Sequence, residues 1–153
     1  MTTRRDPQGR KTVFDVLGAA GDGLIAVGRL DLASTGLLLF TTDTQLANHL
    51  TDPAAAIPRT YVVTVRGRVS DETAKRIEDG IGTLNAERVE IRKASGRETH
   101  LIVTLIEGKN REIRRLFDAA GHEVTRLHRI AFGDYTLGDL QPGEWRDYST
   151  SRP

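Results

Sequence analysis

The sequence has no cysteine. That excludes a disulfide framework and thiolate chemistry, and makes a cytoplasmic setting the simpler expectation. No apolar run approaches membrane-spanning length, and no signal-peptide pattern is visible in the opening residues, so no membrane association is expected. The four histidines show no pairing at metal-ligand spacing, and without cysteine no metal site is assigned. A phosphate-cradling glycine-rich loop and an internal repeat are both missing. So is any large excess of one charge: the formal net charge is only +1, which argues neither for nor against nucleic acid.

What remains is an ordinary globular composition, 38% hydrophobic and 28% charged over 153 residues, enough for one domain with a real core. The distribution of charge is more telling than its sum, because basic residues crowd 109–115 and 126–129. The first eleven residues are polar and carry Arg4, Arg5, Arg10 and Lys11. Thr12 to Leu17 is expected to begin a short helix with Val13, Val16 and Leu17 on its apolar face, and Gly18 to Gly23 reads as a loop. A short apolar run, Leu24 to Val27, follows.

The stretch from Gly28 to Asp43, GRLDLASTGLLLFTTD, organises the chain. Leu37 to Phe40 is short and wholly apolar, which predicts a strand buried on both faces. Behind it, Thr42 stands at capping-box spacing from Gln45, with Asp43 the alternative N-cap, for a helix carrying Leu46, Ala47 and Leu50. In front, Arg29 and Asp31 flank Leu30 on a loop with Ser34, Thr35 and Gly36. A carboxylate and a guanidinium thus sit on a loop feeding a rigid strand, where sites tend to be built. By local pattern alone, a loop Asp is more often a turn cap or a solvated group.

Downstream, Asp52 to Pro58 is turn-rich. Arg59 to Arg66 alternates as a strand, with Tyr61, Val63 and Val65 on one face; the residues alone make Tyr61 a core or cross-strand aromatic. Ser70, Asp71 and Glu72 open a helix with Ala74 and Ile77 on its apolar side, and Gly80 ends it. Strands are expected near 87–93 and 99–106 with Ser95-Gly96 in the hairpin between them. In EGKNREIRRLF, from Glu107 to Phe117, helical spacing aligns Ile113, Leu116, Phe117 and Ala120 on one stripe, with Gly121 ending the helix. Arg111, Arg115 and Asp118 point away from that stripe and Arg114 lies at its flank; a solvated basic face with an Arg114–Asp118 pair suffices for Arg111 and Arg115. An alternating basic strand over 122–131 and a tail ending in Leu140-Gln141-Pro142-Gly143-Glu144-Trp145 close the chain, with Trp145 read as packing. The strands and helices imply an α+β domain around a mixed, largely antiparallel sheet flanked by helices.

Three of these stretches together resemble the catalytic motifs of the RsuA/RluB-type pseudouridine synthases, which modify ribosomal RNA. The first is G-R-L-D, two variable residues, Ser or Thr, a variable residue, Gly, four large apolar residues, then Thr and Asp or Asn; Gly28 to Asp43 supply these in order, with Thr41 and Thr42 both standing before Asp43. The second is a basic residue, a spacer and Tyr at a strand start; here Arg59 stands where Lys is commoner, and Tyr61 is in place. EGKNREIRRLF resembles the third, and the tryptophan ending resembles the family's L-x-P-G-x-W/Y close. The likeness runs from about Asp6 to the end, with DPQGRKTVFDVL, Asp6 to Leu17, resembling a segment that in relatives follows a strand not visible here. It therefore implies a pseudouridine synthase catalytic domain over 1–153 without the usual N-terminal RNA-binding domain.

The resemblance implies isomerisation of a uridine in ribosomal RNA, leaning toward the large subunit, by a cytoplasmic monomer needing no cofactor. Asp31 would be the essential carboxylate, acting as nucleophile or as base. Tyr61 would stack on the target base, and Arg114 would pair with Asp31 and hold it ionised. Arg29 would help extrude the nucleotide or hold its phosphate, while Lys109, Arg111 and Arg115 would contact RNA. A non-catalytic RNA-binding module of the same fold is the alternative, but binding alone does not need a carboxylate buried beside RNA phosphates. A hydrolytic nuclease would want a second carboxylate or a metal set near Asp31, and neither is evident.

Overall fold

The computed structural model describes residues 23–28, 30, 34–106 and 111–146. The helix expected at 12–17 lies outside them, as do Arg29, Asp31 and Lys109. The described strands are β1 (Ile25–Val27), β2 (Thr35–Gly36), β3 (Leu39–Thr41), β4 (Arg59–Arg66), β5 (Arg88–Ala94), β6 (Glu98–Leu105), β7 (Val124–Phe132) and β8 (Tyr135–Thr136). The α-helices among the described residues are α1 (Thr44–Thr51), α2 (Asp71–Asp79) and α3 (Glu112–Ala119). None of them is long and apolar enough to cross a membrane.

Six strands form one sheet in the order β2-β7-β4-β6-β5, with β8 also on β7. Its pairings are antiparallel except β2 with β7, which is parallel. The mixed, largely antiparallel sheet expected from the sequence is therefore present. β4 occupies the bounds its alternation predicts, because its β-branched side chains suit a pleated surface covered on one side. Val63 and Val65 of β4, Leu101 and Val103 of β6, Ile77 of α2, and Leu116 and Phe117 of α3 are fully buried together. Each such side chain contributes about 1.5–3 kcal/mol by leaving water. α2 starts where its sequence says: the Ser70 hydroxyl accepts from the Thr73 N–H, and Gly80, at φ +117°, takes a conformation that side chains resist.

A second apolar cluster holds Val27, Leu37, Ala47, Leu50 and Phe132, with Ile25, Leu39 and Ile57 against it. Here the structure differs from the expectation of one strand over 37–40 buried on both faces. Thr35 and Gly36 pair with β7, whereas Leu39 to Thr41 pair with β1 in a separate two-stranded ribbon. Leu37 is buried, but Leu38, Leu39 and Phe40 are only half-buried. The chain leaves the main sheet at Leu37 because its next partner, β1, lies in the other ribbon. Asp43, rather than Thr42, caps α1 by accepting from the Gln45 and Leu46 N–H groups at 2.9 and 3.2 Å. Trp145, expected to pack, is 51% exposed.

β7 carries two irregularities. The register against β4 slips between Thr60 and Tyr61 and again between Thr64 and Val65, so Ile130 and Thr125 are extra residues on β7. Residues three apart in a regular strand face opposite ways. The bulges bring Val124, Leu127, Arg129 and Phe132 all to the buried side.

β2 lies on the edge of β7 so closely that a Cβ at Gly36 would be 2.2 Å from the Arg129 carbonyl oxygen, and Gly36 has φ +117°. Gly36→Ala must therefore push β2 off the sheet. We expect a loss on the order of 3 kcal/mol in unfolding free energy, read by urea denaturation; an unchanged midpoint would contradict this packing.

Candidate active site

The inner face of β4 changes character along its length. Val65 and Val63 belong to the apolar core, Tyr61 is half-buried at its margin, and Arg59 ends the row with 7% of its surface exposed. β7 runs beside it with Arg129 opposite Tyr61 and Phe132 opposite Arg59. Glu112, in the first turn of α3, and Arg129 are 2% and 3% exposed. The two apolar clusters thus meet at a polar seam made of Arg59, Tyr61, Glu112 and Arg129.

Each buried guanidinium is held by specific partners. Arg59 Nη1 donates to the Ile57 carbonyl at 3.0 Å, and Arg129 Nε donates to the Leu37 carbonyl at 2.9 Å. Both face the Phe132 ring, with their Cζ atoms 4.7 and 5.1 Å from its centroid. Cation–π attraction of this kind is worth roughly 2 kcal/mol when desolvated. Burial lowers the pKa of Arg59, opposed by attraction to Tyr61 and then to Glu112. Burial likewise lowers that of Arg129, opposed by Tyr61 and reinforced by repulsion from Arg59. Arginine stays charged regardless, so the seam is cationic and largely dry. Such a place lowers the pKa of a carboxylate brought to it and suits a planar, electron-rich group.

The third motif supplies the other wall. Arg111 and Arg115 are exposed, whereas Arg114 is half-buried with its Nε out of solvent, the distribution that helical spacing predicts. Arg111 precedes α3 in the left-handed region, at φ 52° and ψ 34°, a conformation costing a non-glycine residue about 1 kcal/mol or more. Asp31, Arg29 and Lys109 are not among the described residues. The structure therefore gathers Tyr61 and the start of α3 at the end of the sheet where β2, the strand following the G-R-L-D loop, docks on β7.

Sequence reasoning missed the burial of Arg59, Glu112, Arg129 and Phe132. For two of them a signal was present. Arg59 has the parity of Tyr61, Val63 and Val65, and Glu112 lies four residues before Leu116 on the apolar stripe. For Arg129 and Phe132 the signal was absent, because no simple alternation survives the bulges.

A family model described as RNA pseudouridylate synthase matches residues 5–119. An RNA pseudouridine synthase of Aquifex aeolicus is 38% identical over 147 residues, covering 94% of this chain and 59% of the relative. The ribosomal large subunit pseudouridine synthase B of Haemophilus influenzae is 43% identical over 153 residues, covering 96% and 43%. The chain thus spans about half the length of the curated relatives it matches. A crystal structure of a pseudouridylate synthase superposes with a TM-score of 0.80 at 28% identity, covering 92% of this chain and 63% of that one.

Glu112 attracts Arg59 inside the seam. Glu112→Gln keeps its shape and removes the charge, leaving buried Arg59 without the carboxylate that attracts it. The expected loss is on the order of 3 kcal/mol in urea unfolding at neutral pH; a variant as stable as the parent would show that Glu112 does not neutralise the seam.

Proposed function

Since the chain belongs to the RNA pseudouridylate synthase family, we propose that it isomerises a uridine of ribosomal RNA to pseudouridine, with Asp31 as the essential carboxylate. The observation that carries this reading is the family match, which spans Asp31, Tyr61 and Arg114 in one run. The name of the Haemophilus influenzae relative favours a large-subunit target. The setting is cytoplasmic, the active species is a monomer, and no cofactor takes part.

The reaction breaks the bond from uracil N1 to ribose C1′, turns the base while it is held, and joins C5 to C1′. C5 loses its proton and N1 gains one, so the product is an isomer and no redox partner or donor is required. Asp31 supplies the carboxylate, as nucleophile toward the sugar or as base. Arg114 pairs with it and keeps it ionised away from water. Tyr61 stacks on the extruded uracil; stacking has no preferred in-plane angle and tolerates the turn. The buried guanidiniums behind it support that ring. Arg29 holds or extrudes the nucleotide, since a base inside a helix cannot reach a protein pocket. Lys109, Arg111 and Arg115 contact phosphates.

Asp31→Asn should abolish product formation while RNA binding persists, measured by mass mapping of pseudouridine in an RNA fragment; turnover by the pure variant would remove Asp31 from this role. The arginines of α3 separate by kind of defect. Arg115→Ala should lower the salt slope of RNA binding by about one unit and leave the rate on bound RNA intact. Arg114→Ala should instead leave the slope alone and stop single turnover, because Asp31 then takes up a proton rather than remain an unpaired buried charge. A normal rate at saturating enzyme with a lowered slope would make Arg114 a phosphate contact like Arg115.

A further inference from the structure

Arg129 belongs to none of the three motifs, and β7 lies beyond the residues that the family model matches. Its surroundings nevertheless set it apart. A main-chain carbonyl is a weak reason to bury a guanidinium, and Arg129 Nη2 is buried with no hydrogen-bond partner among the described residues.

The role of Arg129 follows from what it grips. The Leu37 N–H donates to the Arg129 carbonyl at 2.8 Å, and Arg129 Nε donates back to the Leu37 carbonyl at 2.9 Å. One residue thus holds both main-chain polar groups of Leu37. Gly36 is pressed against the same main chain, and Thr35 Oγ1 lies 2.7 Å from Nδ1 of His128, the neighbour of Arg129. On its other sides the guanidinium meets Phe132 and Tyr61. The clamped strand begins four residues after Asp31 in the chain.

We infer that Arg129 is a positioning residue for the isomerisation, fixing the strand that follows the G-R-L-D loop relative to the strand that carries Tyr61. This rests on the function proposed above. Arg129 touches no substrate, since only 3% of its surface is exposed. It acts by holding β2 in register on β7 beside the strand of the stacking ring, and a displacement of about 1 Å in a reacting geometry costs roughly 100-fold in rate.

The test uses Arg129→Met and Arg129→Lys in the full chain, assayed well below their unfolding midpoints. Arg129→Met should slow single turnover at saturating enzyme about 100-fold while RNA affinity and its salt slope stay at the parent values. Arg129→Lys should recover about tenfold of that loss, since its ammonium still donates to the Leu37 carbonyl but lacks the planar fork. If Arg129→Met does not fold, a reduced rate in folded Arg129→Lys at parent affinity supports the assignment. Parent-like rates in the folded variants would overturn it, as would weakened binding with a lowered slope. If the parent chain makes no pseudouridine, the functional reading fails first. The clamp is then judged by hydrogen exchange: faster exchange of the Thr35, Gly36 and Leu37 amides in the variants, with β4 unchanged, supports it, and unchanged exchange refutes it.

Discussion

The two-way bond between Leu37 and Arg129 is the constraint on which the rest of the site depends. Elsewhere the sheet is held by long antiparallel ladders, β4 with β6 and with β7. The first-motif strand has no such ladder. β2 contributes only Thr35 and Gly36 to a parallel pairing, too short to fix register by main-chain bonds alone. A side chain from the neighbouring strand supplies the missing restraint, and glycine at position 36 lets the two backbones come close enough for it to act.

This arrangement explains why the interior is not uniformly apolar. The sheet, α2 and α3 enclose one cluster, and β1, β3 and α1 enclose another, with Phe132 inside the second. An apolar seam between them would bind without specifying register, whereas directional bonds from Arg59 and Arg129 fix which residue meets which. Buried ions are expensive unless their partners are well placed. Here the Phe132 ring, main-chain carbonyls and the nearby Glu112 offset that cost. The seam is therefore where the protein trades stability for definition, and the Tyr61 ring stands at its edge.

Much of this was legible in the sequence where a single period rules. The alternation in β4, the Ser70 cap and Gly80 stop of α2, and the Ile113, Leu116, Phe117 stripe of α3 each reappear, and β5 and β6 shift by only about one residue. Legibility failed where the period breaks. The run from Leu37 to Phe40 reads as one strand, yet its two ends serve different sheets. The bulges of β7 turn Arg129 and Phe132 to the same side against simple parity. Pattern also overstates burial, as the exposed Trp145 shows, because an aromatic in a family ending says nothing of what covers it. Of the candidate site, Tyr61, Arg111, Arg114 and Arg115 lie as their spacing implies, while the buried charges behind them depend on tertiary packing that no local window contains.

The bond from Arg129 to Leu37 spans 92 positions of the chain. A ribosome delivers the first-motif strand long before β7, so during synthesis that strand has no edge to join and Leu37 has no partner for its carbonyl. Closing so long a loop is slow compared with forming the local hairpin of β5 and β6. The α2, β5 and β6 region is local in the sequence, whereas the docking of β2 must wait for β7. An incomplete chain that ends before β7 lacks Arg129 and Phe132, and with them the bond that holds Leu37. The grip on the first-motif strand therefore becomes available only once β7 has been made.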